Sequence, residues 1–176
     1  MSGSFVSIAV SHDQPTPGVP FTKTERPLCH DRALPNTQLP PSDWPEKTMT
    51  SVLPKNEIIQ LTTTAETEGL TLSDLAPTCE TFSIAPSDVL NELAIAVSVG
   101  YLDGTLSYAF CDDVMNGIIN AIVDVSITDQ MPQPAFSLWQ AFDQGEWLRG
   151  DDLPDTDTGE KYTKPAVADI MRMLKG

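Results

Sequence analysis

One segment limits what this chain can fold into. Phe110, Val114, Met115, Ile118, Ile119, Ala121, Ile122, Val123 and Val125 crowd into a stretch with few polar residues to shield them. Wound as an α-helix at about 100° per residue, Asp113, Asn116, Gly117, Asn120 and Asp124 share one narrow arc. The apolar residues take nearly all the rest, with Asp112 as a polar intruder on the flank. A helix apolar over so much of its circumference must be packed on several sides. A central helix over about 106–125, opened by Thr105 or Ser107, is therefore expected.

The flanking segments also read as helices. Pro54 in a first turn starts one, Ile58, Leu61, Thr62 and Ala65 keep its period, and Gly69 stops it. The run Thr62-Thr63-Thr64 leaves a strand over 57–64 as the alternative, because β-branched residues prefer strands. A short helix over 70–76, capped by Thr71 or Ser73, is expected to end at Pro77. Ser87 reads as the cap, and Gly100 as the stop, of a helix carrying Val89, Leu90, Leu93, Ala94, Ala96 and Val97. After the break Met131-Pro132-Gln133-Pro134, the residues Ala135, Leu138, Trp139 and Phe142 form one apolar face. A last helix runs from about Lys164 to Lys175, with Thr163 as cap. The fold class expected is mainly α: a compact domain of four to six helices around the central one.

The first 48 residues differ in character. They hold eight of the fifteen prolines, both histidines and a net charge of −1, whereas 49–176 carries −14 of the total −15. Such a density of proline fixes φ and removes donors, so 1–48 reads as an extended, irregular arm before an acidic helical domain at 49–176. Two readings of the arm compete. It is an extension that docks on the domain or a partner, or it lies outside the native protein, with Met49 as the start. The stretch Phe5–Val10 is too short for a signal peptide, and no window approaches the roughly 18 apolar residues of a membrane span. Cys29, Cys79 and Cys111 are odd in number and unpaired in spacing, which fits reduced thiols in the cytoplasm.

Familiar chemistry finds no support. Asp151, Asp152, Asp155, Asp157, Gly159 and Glu160 invite a calcium reading, but no register gives the EF-hand pattern. His12, His30 and the adjacent Cys29 lack zinc spacing. There is no nucleophile elbow and no phosphate-binding glycine loop. Arg149-Gly150-Asp151 is too short a match to be read as an adhesion motif. No cofactor and no resident metal are expected.

Charge excludes more than it identifies. So acidic a surface disfavours nucleic acid and anionic lipid, whose phosphates need Lys and Arg. It favours encounter with a basic protein partner. In size and charge alone, with no motif carrying the likeness, the chain is similar to immunity proteins that neutralise cationic toxins. A non-enzymatic acidic binding protein is thus the leading expectation. Its contact surface is placed at Asp143, Glu146, Asp151, Asp152, Asp155 and Asp157, with Trp147 as an apolar anchor. The polar stripe Asp113, Asn116, Asn120 and Asp124 is read either as a solvated edge or as the lining of a cleft. The alternatives are a metal-binding or hydrolytic enzyme using carboxylates of the central helix or of 151–160, and a subunit of a homo- or hetero-oligomeric assembly.

Overall fold

The computed structural model describes residues 52–176. The proline-rich arm, with Phe5–Val10, His12, Cys29 and His30, lies outside the described residues, as does the boundary at Met49. Six α-helices account for most of what is described: α1 (Lys55–Glu68), α2 (Leu72–Phe82), α3 (Pro86–Leu102), α4 (Tyr108–Thr128), α5 (Ala135–Asp143) and α6 (Lys164–Met173). No strand occurs among the described residues. No single described helix is long and apolar enough to cross a membrane.

The all-α expectation holds, but the centre is shared. α3 packs against all five other helices, and α4 against α1, α2, α3 and α5. Nine of the 17 residues of α3 are buried, against seven of the 21 of α4. On α4, Val123 is 45% and Ile127 75% exposed. The predicted central helix therefore has an outer side, and α3 is the more completely enclosed of the two.

Local chemistry explains where the sequence reading slipped. The threonine run is not among the slips: it is helical, as its period implies, with Ile58, Leu61, Thr62 and Ala65 buried, and each hydroxyl donates to a carbonyl one turn back: Thr62 to Ile58 (2.8 Å), Thr63 to Ile59 (2.8 Å) and Thr64 to Gln60 (3.1 Å). Pro54 precedes the first turn of α1 as its N-cap rather than lying within it. Pro77 does not end α2, which continues to Phe82. At its start, the Asp74 carboxylate accepts from the Thr71 N–H (2.8 Å) and hydroxyl (2.7 Å), which also holds that carboxyl below its usual pKa. Beyond the proline, the Thr78 hydroxyl donates to Glu57 on α1. These anchors on both sides, with Leu75 buried, offset the roughly 3 kcal/mol an interior proline costs.

Ala85, not Ser87, precedes α3, and Pro86 occupies its first turn. Gly100 does not stop this helix. It lies inside it, because a Cβ there would meet Leu106 at 2.5 Å; the turn is made by Gly104 at φ +73°. Thr163 caps nothing with its side chain and has helical φ and ψ. Pro165 lacks an N–H, and its ring crowds the carbonyl four residues back. The turn before it, Gly159–Thr163, is accordingly a wider π-turn running straight into α6.

Gly117 sets the contact between α1 and α4. A Cβ on it would lie 1.9 Å from the Ala65 carbonyl oxygen, and the Leu70 N–H donates to the Gly117 carbonyl at 2.8 Å. Backbone meets backbone here, so the obstacle cannot rotate away. Gly117→Ala is expected to lower the unfolding free energy by roughly 1–3 kcal/mol or more in urea denaturation. Gly150→Ala, with nothing within 4 Å, should stay within roughly 0.5 kcal/mol of the parent.

Candidate functional site

Three rings knit the helix ends together. Tyr101 of α3 lies 5.2 Å from Phe142 of α5 and 6.1 Å from Tyr108 of α4, centroid to centroid. The Tyr108 hydroxyl donates to the Phe142 carbonyl at 3.1 Å, just where α5 ends. Burial, with acids nearby, pushes the Tyr101 phenol up to about 12 and raises that of Tyr108 further still. Both stay protonated and serve as packed rings with a polar tip.

From this platform leaves a closed loop over 145–158. Its ends are tied by the Thr158 hydroxyl donating to the Gly145 carbonyl. Gly145 is itself buried, and a Cβ there would meet the Thr163 and Tyr108 oxygens at 2.1 and 2.8 Å. The length and joined ends make this an Ω-loop, a class often used for recognition.

The loop is braced around Asp152. Its carboxylate accepts from Lys161, from the Tyr162 hydroxyl (2.6 Å) and from the Arg149 N–H (2.7 Å). The Lys161 donor, then Tyr162 and Arg149, hold this carboxyl down at about 2. The Arg149 guanidinium lies 3.6 Å over the Tyr162 ring. Asp157 accepts from the Glu160 N–H (3.0 Å) at the start of the π-turn.

The sequence-derived contact residues therefore separate. Asp151, Asp155, Asp157 and Glu146 are exposed, and Asp143 is half-buried. Asp152 differs from them: its side chain is enclosed in the brace. Trp147 is 66% exposed and is the one exposed aromatic among the described residues. Leu148 next to it and Leu153 six residues on are 54% and 69% exposed. Sequence reading passed over both leucines, although each falls in a polar stretch with no helical period to bury it.

The stripe on α4 takes the first of its two readings. Asp113, Asn116, Asn120 and Asp124 are all exposed, which is the solvated edge and not a cleft lining. Asn116 makes two side-chain hydrogen bonds beyond α4. Its side-chain oxygen accepts from the Trp139 indole (3.2 Å), and its NH₂ donates to Glu146 (2.9 Å). Asp112, discounted in the sequence as an intruder, is the unusual acid. It is half-buried, and burial, then Glu146 and Asp113, push its carboxyl up to about 7. No group of three or more His, Cys, Asp or Glu among the described residues is placed to hold a metal ion. The Cys111 thiol is fully buried, donates to the Val97 carbonyl (3.8 Å) and is pushed up by that burial.

Asp152→Asn should loosen the loop and spare the core. Trypsin cleavage after Arg149 is expected to accelerate roughly several-fold at neutral pH, while the melting transition of the helices hardly moves. In the parent chain a depressed carboxyl contributes order that is complete above its ordinary value of 3.8 and lost as pH falls toward about 2. Loop amide resonances should report that loss between those limits.

No protein-family model, curated protein or solved structure matches this chain, so a functional reading rests on its own geometry.

Proposed function

We propose that this chain is a non-enzymatic, cytoplasmic binding protein that engages a basic protein partner through the loop between α5 and α6. An immunity-type inhibitor of a cationic toxin is the kind of protein that would work this way. The observation that carries the reading is how the loop uses its charges. Its neighbouring bases are spent internally: Lys161 on Asp152, Lys164 on Glu160, and Arg149 on the face of Tyr162. Glu146, Asp151, Asp155 and Asp157 are exposed in the same stretch of chain as the exposed Trp147, Leu148 and Leu153. Exposed apolar side chains interleaved in sequence with acids suit a cationic surface. The acids speed encounter, and the tryptophan supplies the desolvated contact.

Ordering such side chains on binding costs affinity, and a braced loop has already met part of that cost. The alternative of a flexible acidic tail would attract a partner without fixing its orientation.

The test is capture of partners from the native host by the full chain at low and high salt. Binding is expected to weaken steeply with ionic strength. Trp147→Ala should weaken it by roughly 30-fold or more with the helical melting transition unchanged, because the side chain is mostly exposed. Capture insensitive to both salt and Trp147 contradicts the reading.

A further inference from the structure

The loop's foot stands on an unusual arrangement of acids. The NH₂ of Asn116, on α4, lies 2.9 Å from Glu146 and 3.5 Å from Asp112. One NH₂, with its two hydrogens, thus faces two carboxylates, and the closer contact is to Glu146. The Tyr108 hydroxyl is also 3.5 Å from Asp112 but donates at 3.1 Å to Phe142. Both contacts to Asp112 sit at the limit of a hydrogen bond, so its ionised form is poorly supported. The titratable groups that act on it are acids or a phenol: Glu146 beyond α5, Asp143 on α5, and Asp113 and Tyr108 on α4. The neighbouring Cys111 thiol is buried and stays protonated.

We propose that Asp112 is a proton-controlled latch for the 145–158 loop. Protonated, it sets no charge against Glu146, and the Asn116–Glu146 bond holds the loop's foot on α4. Ionised, with its proton released to solvent, it repels Glu146. The Glu146–Asn116 bond then gives way, and Trp147, the next residue, moves with it. Burial and the facing acids set the transition near neutral pH, within reach of ordinary conditions. A buried carboxyl raised in this way favours the closed foot below its transition and disfavours it above. The consequence for binding rests on the loop being the partner surface, whereas the latch itself does not.

The experiment is ¹H–¹⁵N NMR of the free full chain from pH 5.5 to 8.5. The expected result is one titration shared by the backbone amides of 145–148, the Asn116 side-chain amide and the Trp139 indole, with its midpoint near 7. Asp112→Asn should abolish it. Glu146→Gln should lower the midpoint, since it removes a repelling charge. A response that survives Asp112→Asn overturns the latch. So does silence of 145–148 across the range, or a midpoint unmoved by Glu146→Gln. Glu146→Gln also covers the case in which Asp112→Asn fails to fold. Failure of partner capture with the titration intact would remove the proposed function and leave the latch standing.

Discussion

Everything in this structure depends on two adjacent helices that water cannot accommodate. α3 and α4 carry Val89, Leu90, Leu93, Val97, Val114, Met115, Ile118 and Ile122, all fully buried. Their burial is the dominant favourable term, and it obliges other helices to cover them. α1 reaches α4 only because Gly117 has no side chain in the way. α5 is held by the Asn91 side chain on α3, which accepts from the Ala135 N–H (3.0 Å). The chain ahead of α1 is held by the Glu92 carboxylate, which accepts from the Val52 and Leu53 N–H groups (2.9 and 3.0 Å). Polar side chains of the enclosed helix thus fix the ends of its neighbours, while its apolar ones fix their faces.

The loop inherits its shape from that core. Tyr108, Phe142 and Gly145 make a dense base, and Asp152 with Lys161, Tyr162 and Arg149 makes an interior of polar groups where no apolar one is available. Charge-assisted hydrogen bonds of this kind are the stronger ones, and three on one carboxylate specify a conformation more than a single exposed pair could. Asp152 thereby turns a run of acids, which would otherwise repel one another into an extended chain, into a surface with fixed positions.

Much of the fold was legible from the amino-acid order because periodicity reports burial directly. α4 and α5 stand within a few residues of their predicted spans, and Pro132 and Pro134 mark the break between them. The misreadings share a cause: a single-residue preference overruled by the contacts around it. Pro77 was outvoted by Asp74 and by Thr78 bonding to Glu57, and Gly100 by its packing on Leu106. The candidate site was legible in outline, since charge density and Trp147 mark the loop. Which acids face outward was not legible, because Asp151 and Asp152 are chemically alike and only the fold decides that one meets Lys161. Asp112 was hidden for the same reason. Its character comes from burial and then from Glu146, 34 residues away in sequence and joined to it through Asn116.

The central claim is that the 145–158 loop is a preformed surface and not an acidic tether. The most direct measurement is ¹⁵N relaxation of its backbone amides in the free chain. Order parameters close to those of α3 and α4, about 0.85, are the expected result. Values below about 0.6 across 147–155 would contradict it, because a loop that mobile presents no fixed arrangement of Trp147 and the acids of the same stretch.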